Sequence, residues 1–438
     1  MSLLRHGIGN PGVITTFTSL RFPLMSPRDY LAGYRDDARL ATGAFYDQAP
    51  LTARRGETVG VILMNHGGPL EPADVEPFLY NRLMDPAAVR LPLPGAIRHR
   101  FAKFVARRRA RKLGRAYEMI GGVSPVVRHA REQACELERQ LNERYGRAMG
   151  VRFRTFVAMR YGHPTCASAS EEMDSVGVDR VVLLPLHPHF STTTTGTSLA
   201  FWKAMEEAGE IQRRPTTFVY EYAAHPKYIQ ALSERIDEGL QRFPASVRDK
   251  AQIVFTAHGA PLQALKQGRD PYCCLVHSTV QQVNDYRSEA SRGTHVSFHT
   301  VGVPGRGLGP STTDVIDELA DEGHEAVLVV PITFTSDHVE TAYGLDVLER
   351  SRAVTAGIEH YEVASGLNCH SLFIEALAEA AAGQIRPETA GDGTPPLPIA
   401  ALPRLDPACR EVRCRWCPQI REAADWSATE SVPVPVAA

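Results

Sequence analysis

The chain has 438 residues, 43% hydrophobic and 22% charged, with a formal net charge of -2. That length allows two or three domains with their own cores, and the composition is ordinary for a globular protein. So small a net charge argues against a general nucleic-acid binder, and no apolar run reaches the ~20 residues needed to span a bilayer.

Residues 1–56 lack clear periodicity and are expected to form an N-terminal extension, with a helix over 27–48. Arg5, Gly9, Pro11 and Arg21 interrupt its one apolar stretch, so no signal peptide is expected there. From Val59 the texture changes. Residues 59–65, 151–159 and 180–186 read as strands, with a helix over 125–145 between them. The segment 91–115 is strongly basic with interleaved Leu, Ile, Phe and Val, which suits either a solvated helix or a surface meeting anionic headgroups. A second set of strands is expected at 252–256, 295–301, 326–334 and 358–363. Short apolar strands alternating with helical patterns predict an α/β fold. The two sets echo each other: I-L-M-N-H-G-G-P (62–69) with V-F-T-A-H-G-A-P (254–261), and V-V-L-L-P (181–185) with V-L-V-V-P (327–331). Two similar, doubly wound parallel-sheet lobes follow, 57–215 and 216–383, with a cleft between them. A Pro/Gly-rich linker over 384–403 then leads to a tail ending at 438 that carries Cys409, Cys414 and Cys417. The cysteine spacings do not resemble a secreted disulfide framework, so a reducing, cytoplasmic compartment is expected.

Two strand-like runs stop in groups able to bind a metal or move a proton: I-V-F-T-A-H-G-A-P at 253–261 and P-I-T-F-T-S-D-H-V-E at 331–340. In an open parallel sheet, ligands gather beyond the carboxyl ends of the strands. His258 on one tip and Asp337, His338 and Glu340 on another can therefore face one cleft. A lone histidine in a turn is more often structural, but A-H-G-A-P at a strand tip favours function. No G-x-G-x-x-G follows the first strand, so a nucleotide site is not expected.

Further motifs join these in order. F-L-Y-N-R-L-M-D-P-A-A-V and R-R-A-R-K-L-G-R-A-Y-E-M-I-G-G-V-S-P come first, then A-M-R-Y-G-H-P and L-L-P-L-H-P-H-F-S-T-T-T-T-G, with G-R-D-P-Y and F-T-S-D-H-V-E-T after them. With this set the chain resembles the ferrochelatases, which insert ferrous iron into a porphyrin at the end of haem synthesis. The resemblance covers about residues 59–377 and implies two four-stranded parallel lobes. It implies protoporphyrin and ferrous iron as substrates. Coproporphyrin is the alternative, and a non-catalytic porphyrin-binding protein is the competing class. Metal insertion must strip water from the cation and remove two pyrrole protons, and an imidazole with an ordinary pKa near ~6.5 suits the second task. By resemblance His258 accepts those protons and touches the metal, Glu340 is the acidic partner across the porphyrin that relays protons or helps hold the incoming cation, and Asp337 and His338 support them. A flat apolar ligand with acidic edges calls for an apolar slot with Arg and hydroxyl groups at its rim. The matching porphyrin-binding positions are His66, Arg108, Arg109, Tyr117, Ser124 and His187, with Ser124 also open to a helix-capping role. Segment 91–115 corresponds to the family's lip over the pocket, which implies peripheral membrane contact; a homodimer is a further expectation.

The chain departs from the family at two places. A second glutamate one helical turn beyond Glu340 is here Gly344, and a tryptophan frequent near residues 308–310 is here Gly307. The tail trio Cys409-x4-Cys414-x2-Cys417 resembles ferrochelatases that carry a 2Fe–2S cluster on three terminal cysteines and one internal cysteine, but the resemblance is incomplete, since the order here is x4 then x2. The usual internal position is here Thr192. Cys166 is the preferred fourth ligand and Cys369 the runner-up, with structural zinc or unligated thiols as the other readings.

Overall fold

A computed structural model describes residues 37–89, 93, 95–260, 270–288, 292–299 and 307–388. Strands β1 (Leu51–Ala53) through β10 (Ile385–Pro387) fall into three parallel sheets. The first lobe contains β2 (Thr58–Asn65), β3 (Arg152–Met159), β4 (Arg180–Pro185) and β5 (Thr216–Phe218), in the order β3-β2-β4-β5. The second repeats the pattern with β6 (Gln252–His258), β7 (Thr294–His299), β8 (Ala326–Pro331) and β9 (His360–Val363), in the order β7-β6-β8-β9. The expected fold class is the observed one. Central strands such as β2 and β8 are apolar along nearly their whole length because helices cover both faces of the sheet.

Several boundaries differ from the sequence expectation for identifiable reasons. Strand β8 stops at Pro331, whose missing N–H ends the ladder, so residues 332–334 form part of the following loop. Strand β6 runs on to His258, which pairs in register with His299. The short strand β5 carries too few residues to show a period. Within the expected extension only Arg39–Thr42 is helical among the described residues, and Leu40 and Phe45 are buried in the first lobe's core. Strand β1 pairs with β10, so the start of the expected linker is tied back to residues just ahead of the first lobe.

One apolar cluster runs through both lobes. It joins β2 and β3 to β6 and β8 by way of the helices Val126–Leu141, Pro226–Leu240 and Ser371–Ala382. The last of these reads S-L-F-I-E-A-L-A-E-A-A-A, and its alanines allow close approach on several sides while Phe373 and Leu377 fill the space between neighbours. The helix Gly95–Met119 carries the expected lip. Its Ala102 and Ala106 pack against Tyr80 and Met84 on the helix Val75–Met84. Arg98 on the same face is buried and donates to the carbonyls of Leu83, Asp85 and Val89, around the carboxyl end of that helix. No helix among the described residues is long and apolar enough to cross a membrane.

Candidate active site

In each lobe the chain winds outward from its first strand to one side and then returns to the other. The topological switch points therefore lie between β2 and β4 and between β6 and β8. His66 follows β2 and His187 follows β4; His258 ends β6, and residues 332–340 follow β8. The two crevices meet: the Thr335 hydroxyl donates to the Leu186 carbonyl at 2.9 Å, and Arg82 of the first lobe reaches His258 of the second.

His258 is fixed from several sides. Its backbone N–H donates to Thr333 Oγ1 at 2.9 Å, and the Tyr272 hydroxyl donates to its carbonyl at 2.7 Å. Phe334 packs edge-on against the imidazole, with ring centres 6.0 Å apart. The ring's Nδ1 lies 2.9 Å from Glu340 Oε2, while the Arg82 guanidinium donates to Nε2 across 3.4 Å. Since Arg82 can only donate, the network places the neutral ring's proton on Nδ1, facing the carboxylate. Glu340 opens a π-helical segment, Glu340–Glu349, a geometry frequent at functional sites. Burial alone would raise its carboxyl pKa. The charge and hydrogen bond of His258, with His338 and Arg82 behind, outweigh that penalty and hold the group well below the usual carboxylate range.

The opposite wall is built from histidines and a buried ion pair. The rings of His66 and His187 lie 4.9 Å apart, and Tyr161 packs on His66 at 5.3 Å. Burial, with His258 and His338 adding to it, pushes the pKa of His187 down to about 3. Burial, then His187, Arg82 and His258, lowers that of His66. Both rings are thus neutral near neutral pH. Behind them the fully buried Asp85 accepts from Arg160 at 2.8 Å, from the Tyr161 hydroxyl at 2.9 Å and from Thr197 Oγ1 at 2.5 Å.

The remaining expected residues separate. Tyr117 and Ser124 are buried beside the pair; they hydrogen-bond each other, and Tyr117 feels both Glu340 and Arg82. Ser124 makes no side-chain cap on the following helix. It packs so closely on Gly68 that a Cβ there would meet its Oγ at 2.4 Å. Arg108 and Arg109 lie exposed on the lip helix. His338 is stacked near Phe334 at 5.0 Å, and its Nδ1 is unpartnered. The Asp337 carboxylate accepts from Asn368 Nδ2 at 2.7 Å, the Gly366 N–H at 3.0 Å and Thr341 Oγ1 at 3.3 Å, so it anchors the start of the π-helical segment. Cys166 sits inside the first lobe's core, where burial pushes its thiol up to about 12. Cys369 is exposed. Cys409, Cys414 and Cys417 lie outside the described residues. Sequence reasoning missed Arg82, although F-L-Y-N-R-L contains it, because nothing local shows that it crosses to the other lobe.

Fold and site together define a two-lobed cleft enzyme equipped to handle a metal ion and protons. The model of the ferrochelatase family matches residues 58–385. A ferrochelatase of Geotalea daltonii is 36% identical over 323 residues, covering 74% of this chain and 97% of its own length. One of Prochlorococcus marinus is 35% identical over 330 residues, covering 74% and 82%. Among solved structures, SirB from Bacillus subtilis with Fe3+ aligns with a TM-score of 0.42 at 12% identity, over 75% of this chain and 96% of that one. The chain belongs to the ferrochelatase family, whose chemistry is the insertion of iron into a porphyrin.

Proposed function

We propose that the protein inserts ferrous iron into protoporphyrin, with His258 taking the pyrrole protons and Glu340 steadying the imidazolium that results. The observation that carries this is the 2.9 Å contact between His258 Nδ1 and Glu340 Oε2 at the meeting of the two switch-point crevices. Two protons leave the macrocycle as Fe2+ enters. His258 accepts the first at Nε2 as the Arg82 hydrogen bond there gives way, releases it to solvent, and then takes the second, while the depressed pKa of Glu340 keeps its carboxylate ionised to stabilise the charged ring. Neutral His66 and His187 line the facing wall without setting a positive charge against the cation. The apolar lip favours protoporphyrin over the more acidic coproporphyrin. Ile97, Phe101 and Phe104, at 55%, 41% and 66% exposure, form an apolar stripe among exposed basic residues, which suits peripheral membrane contact. His258→Ala tests the assignment: iron insertion should be lost while protoporphyrin binding, followed by fluorescence, persists. Near-normal turnover would refute it.

A 2Fe–2S cluster on Cys409, Cys414 and Cys417 belongs to the same proposal, as a group that ties down the tail and takes no part in insertion. Among the internal candidates, Cys166 does not fit, since its thiol is enclosed in the first lobe's core and out of reach of a tail. Exposed Cys369 fits better as the fourth ligand, although burial of its thiol and the nearby Glu132 and Glu136 push its pKa up to about 11 as well.

A further inference from the structure

The π-helical segment carries Gly344 one turn beyond Glu340, and a side chain from another element packs against that glycine. His299 ends β7 and pairs in register with His258 on β6. Register partners on neighbouring parallel strands send their side chains to the same face, so both imidazoles leave the sheet toward the cleft. A Cβ built on Gly344 would lie 2.8 Å from His299 Nε2 and 3.4 Å from its Cε1, with no other contact closer than the ring's Cδ2. Glycine at 344 and histidine at 299 are therefore fitted to one another: any larger residue at 344 would displace the ring.

His299 is only 7% exposed, and its Nε2 has no hydrogen-bond partner. Leaving such a nitrogen unsatisfied is costly, and an apolar residue filling the same space would avoid that cost. The charged groups it feels are Glu340 and Glu349 together with His258, so the unpartnered nitrogen lies beside two acidic residues. Glu349 is itself buried, with its Oε2 unpartnered. Among the described residues no three His, Cys, Asp or Glu side chains are grouped closely enough to cage a metal, so His299 would act as a single protein donor.

We infer that His299 handles the metal substrate, ligating the incoming ferrous ion through Nε2 before it reaches the His258–Glu340 pair. It thereby sets an imidazole, from a neighbouring strand, into the space that Gly344 leaves open. Imidazole is a good donor to Fe2+, and the remaining ligands in such a way-station would be water. The inference rests on reading the cleft as the iron-insertion site.

The test varies Fe2+ at fixed protoporphyrin, then the reverse, under anaerobic conditions, for the wild type, H299A, H299N as the milder truncation, G344A and the double variant H299A/G344E. H299A should raise the KM for iron about 10-fold and leave that for porphyrin unchanged. G344A should do the same by setting a methyl group against Nε2. H299A/G344E should bring the metal KM back to within about threefold of wild type, because the new carboxylate grows into the space the imidazole vacated. Cobalt titration without porphyrin, read by visible absorption, should show the same loss in H299A and H299N. An unchanged metal KM together with unchanged cobalt affinity in H299A would overturn the inference, as would parallel increases in both KM values. Cobalt binding that depends on His299 in a wild type unable to metallate any porphyrin would instead overturn the insertion reading and leave His299 standing.

Discussion

His189 is fully buried and His187 half-buried at the junction of the two lobes, and desolvation holds each near a pKa of about 3. His189 donates or accepts at Thr279 through Nε2, at 2.9 Å, and lies edge-on to Tyr228 and Tyr272. A histidine whose folded pKa is depressed binds its proton more readily in the unfolded chain. Stability is therefore intact above the unfolded value near ~6.5 and falls as the pH drops below it, down to the folded pKa. At pH 5.0 each ring costs about 2 kcal/mol relative to pH 7.5, or about 4 kcal/mol for the two. Depressed carboxyls such as Glu340 do not mask this window, because their contribution is lost only below the unfolded carboxyl range, ~4.3. Urea unfolding at pH 7.5, 6.5, 5.5 and 5.0 measures the loss directly. The variant H189F removes one titrating ring and should flatten the slope by about half of the pair's share. A wild-type stability equal at pH 7.5 and 5.0, or an H189F slope identical to wild type, would refute the reasoning.

The other predictions concern individual groups. Glu340→Gln keeps the shape of the acidic partner but removes its charge, and turnover should fall at least about 100-fold with porphyrin affinity little changed in fluorescence titrations. Asp85→Asn leaves the Arg160 guanidinium buried without its counter-charge and should destabilise the protein by about 3–5 kcal/mol in denaturant titrations. Replacing Ile97, Phe101 and Phe104 with Ser should lower co-sedimentation with anionic liposomes without altering insertion into a water-soluble porphyrin; unchanged partitioning would leave the stripe a substrate gate. If the tail holds a 2Fe–2S cluster, anaerobically purified protein should be red-brown, and both Cys414→Ser and Cys369→Ser should bleach it while Cys166→Ser should not.

The eight strands of the two lobes differ in how far they show in the sequence. Runs such as V-G-V-I-L-M and V-L-V-V are buried on both faces and announce themselves by apolarity alone. The repeat of strand, His, Gly and Pro marked both lobes and placed His66 and His258 at equivalent tips. Three-residue strands carry no period, so β5 and the β1–β10 pair, which joins segments more than three hundred residues apart, were illegible. At the site, His258 and Glu340 were readable because each closes an apolar run. Arg82 was not, since its role depends on a contact between residues 176 positions apart. Asp337 looked like chemistry from its neighbours, whereas its hydrogen bonds run to Asn368, Gly366 and Thr341. Gly344 read as a loss, and only the three-dimensional structure shows the ring of His299 beside it.

The apolar layer that runs unbroken from one lobe into the other limits how this molecule can move. Parting the lobes like the covers of a book would expose Leu137, Tyr228, Phe373 and Leu377 together, at about 25 cal/mol for every Å² of apolar surface wetted. The walls of the cleft therefore behave as one rigid jaw. Any widening of the cleft then falls to the parts outside that layer, such as the lip helix and the π-helical segment.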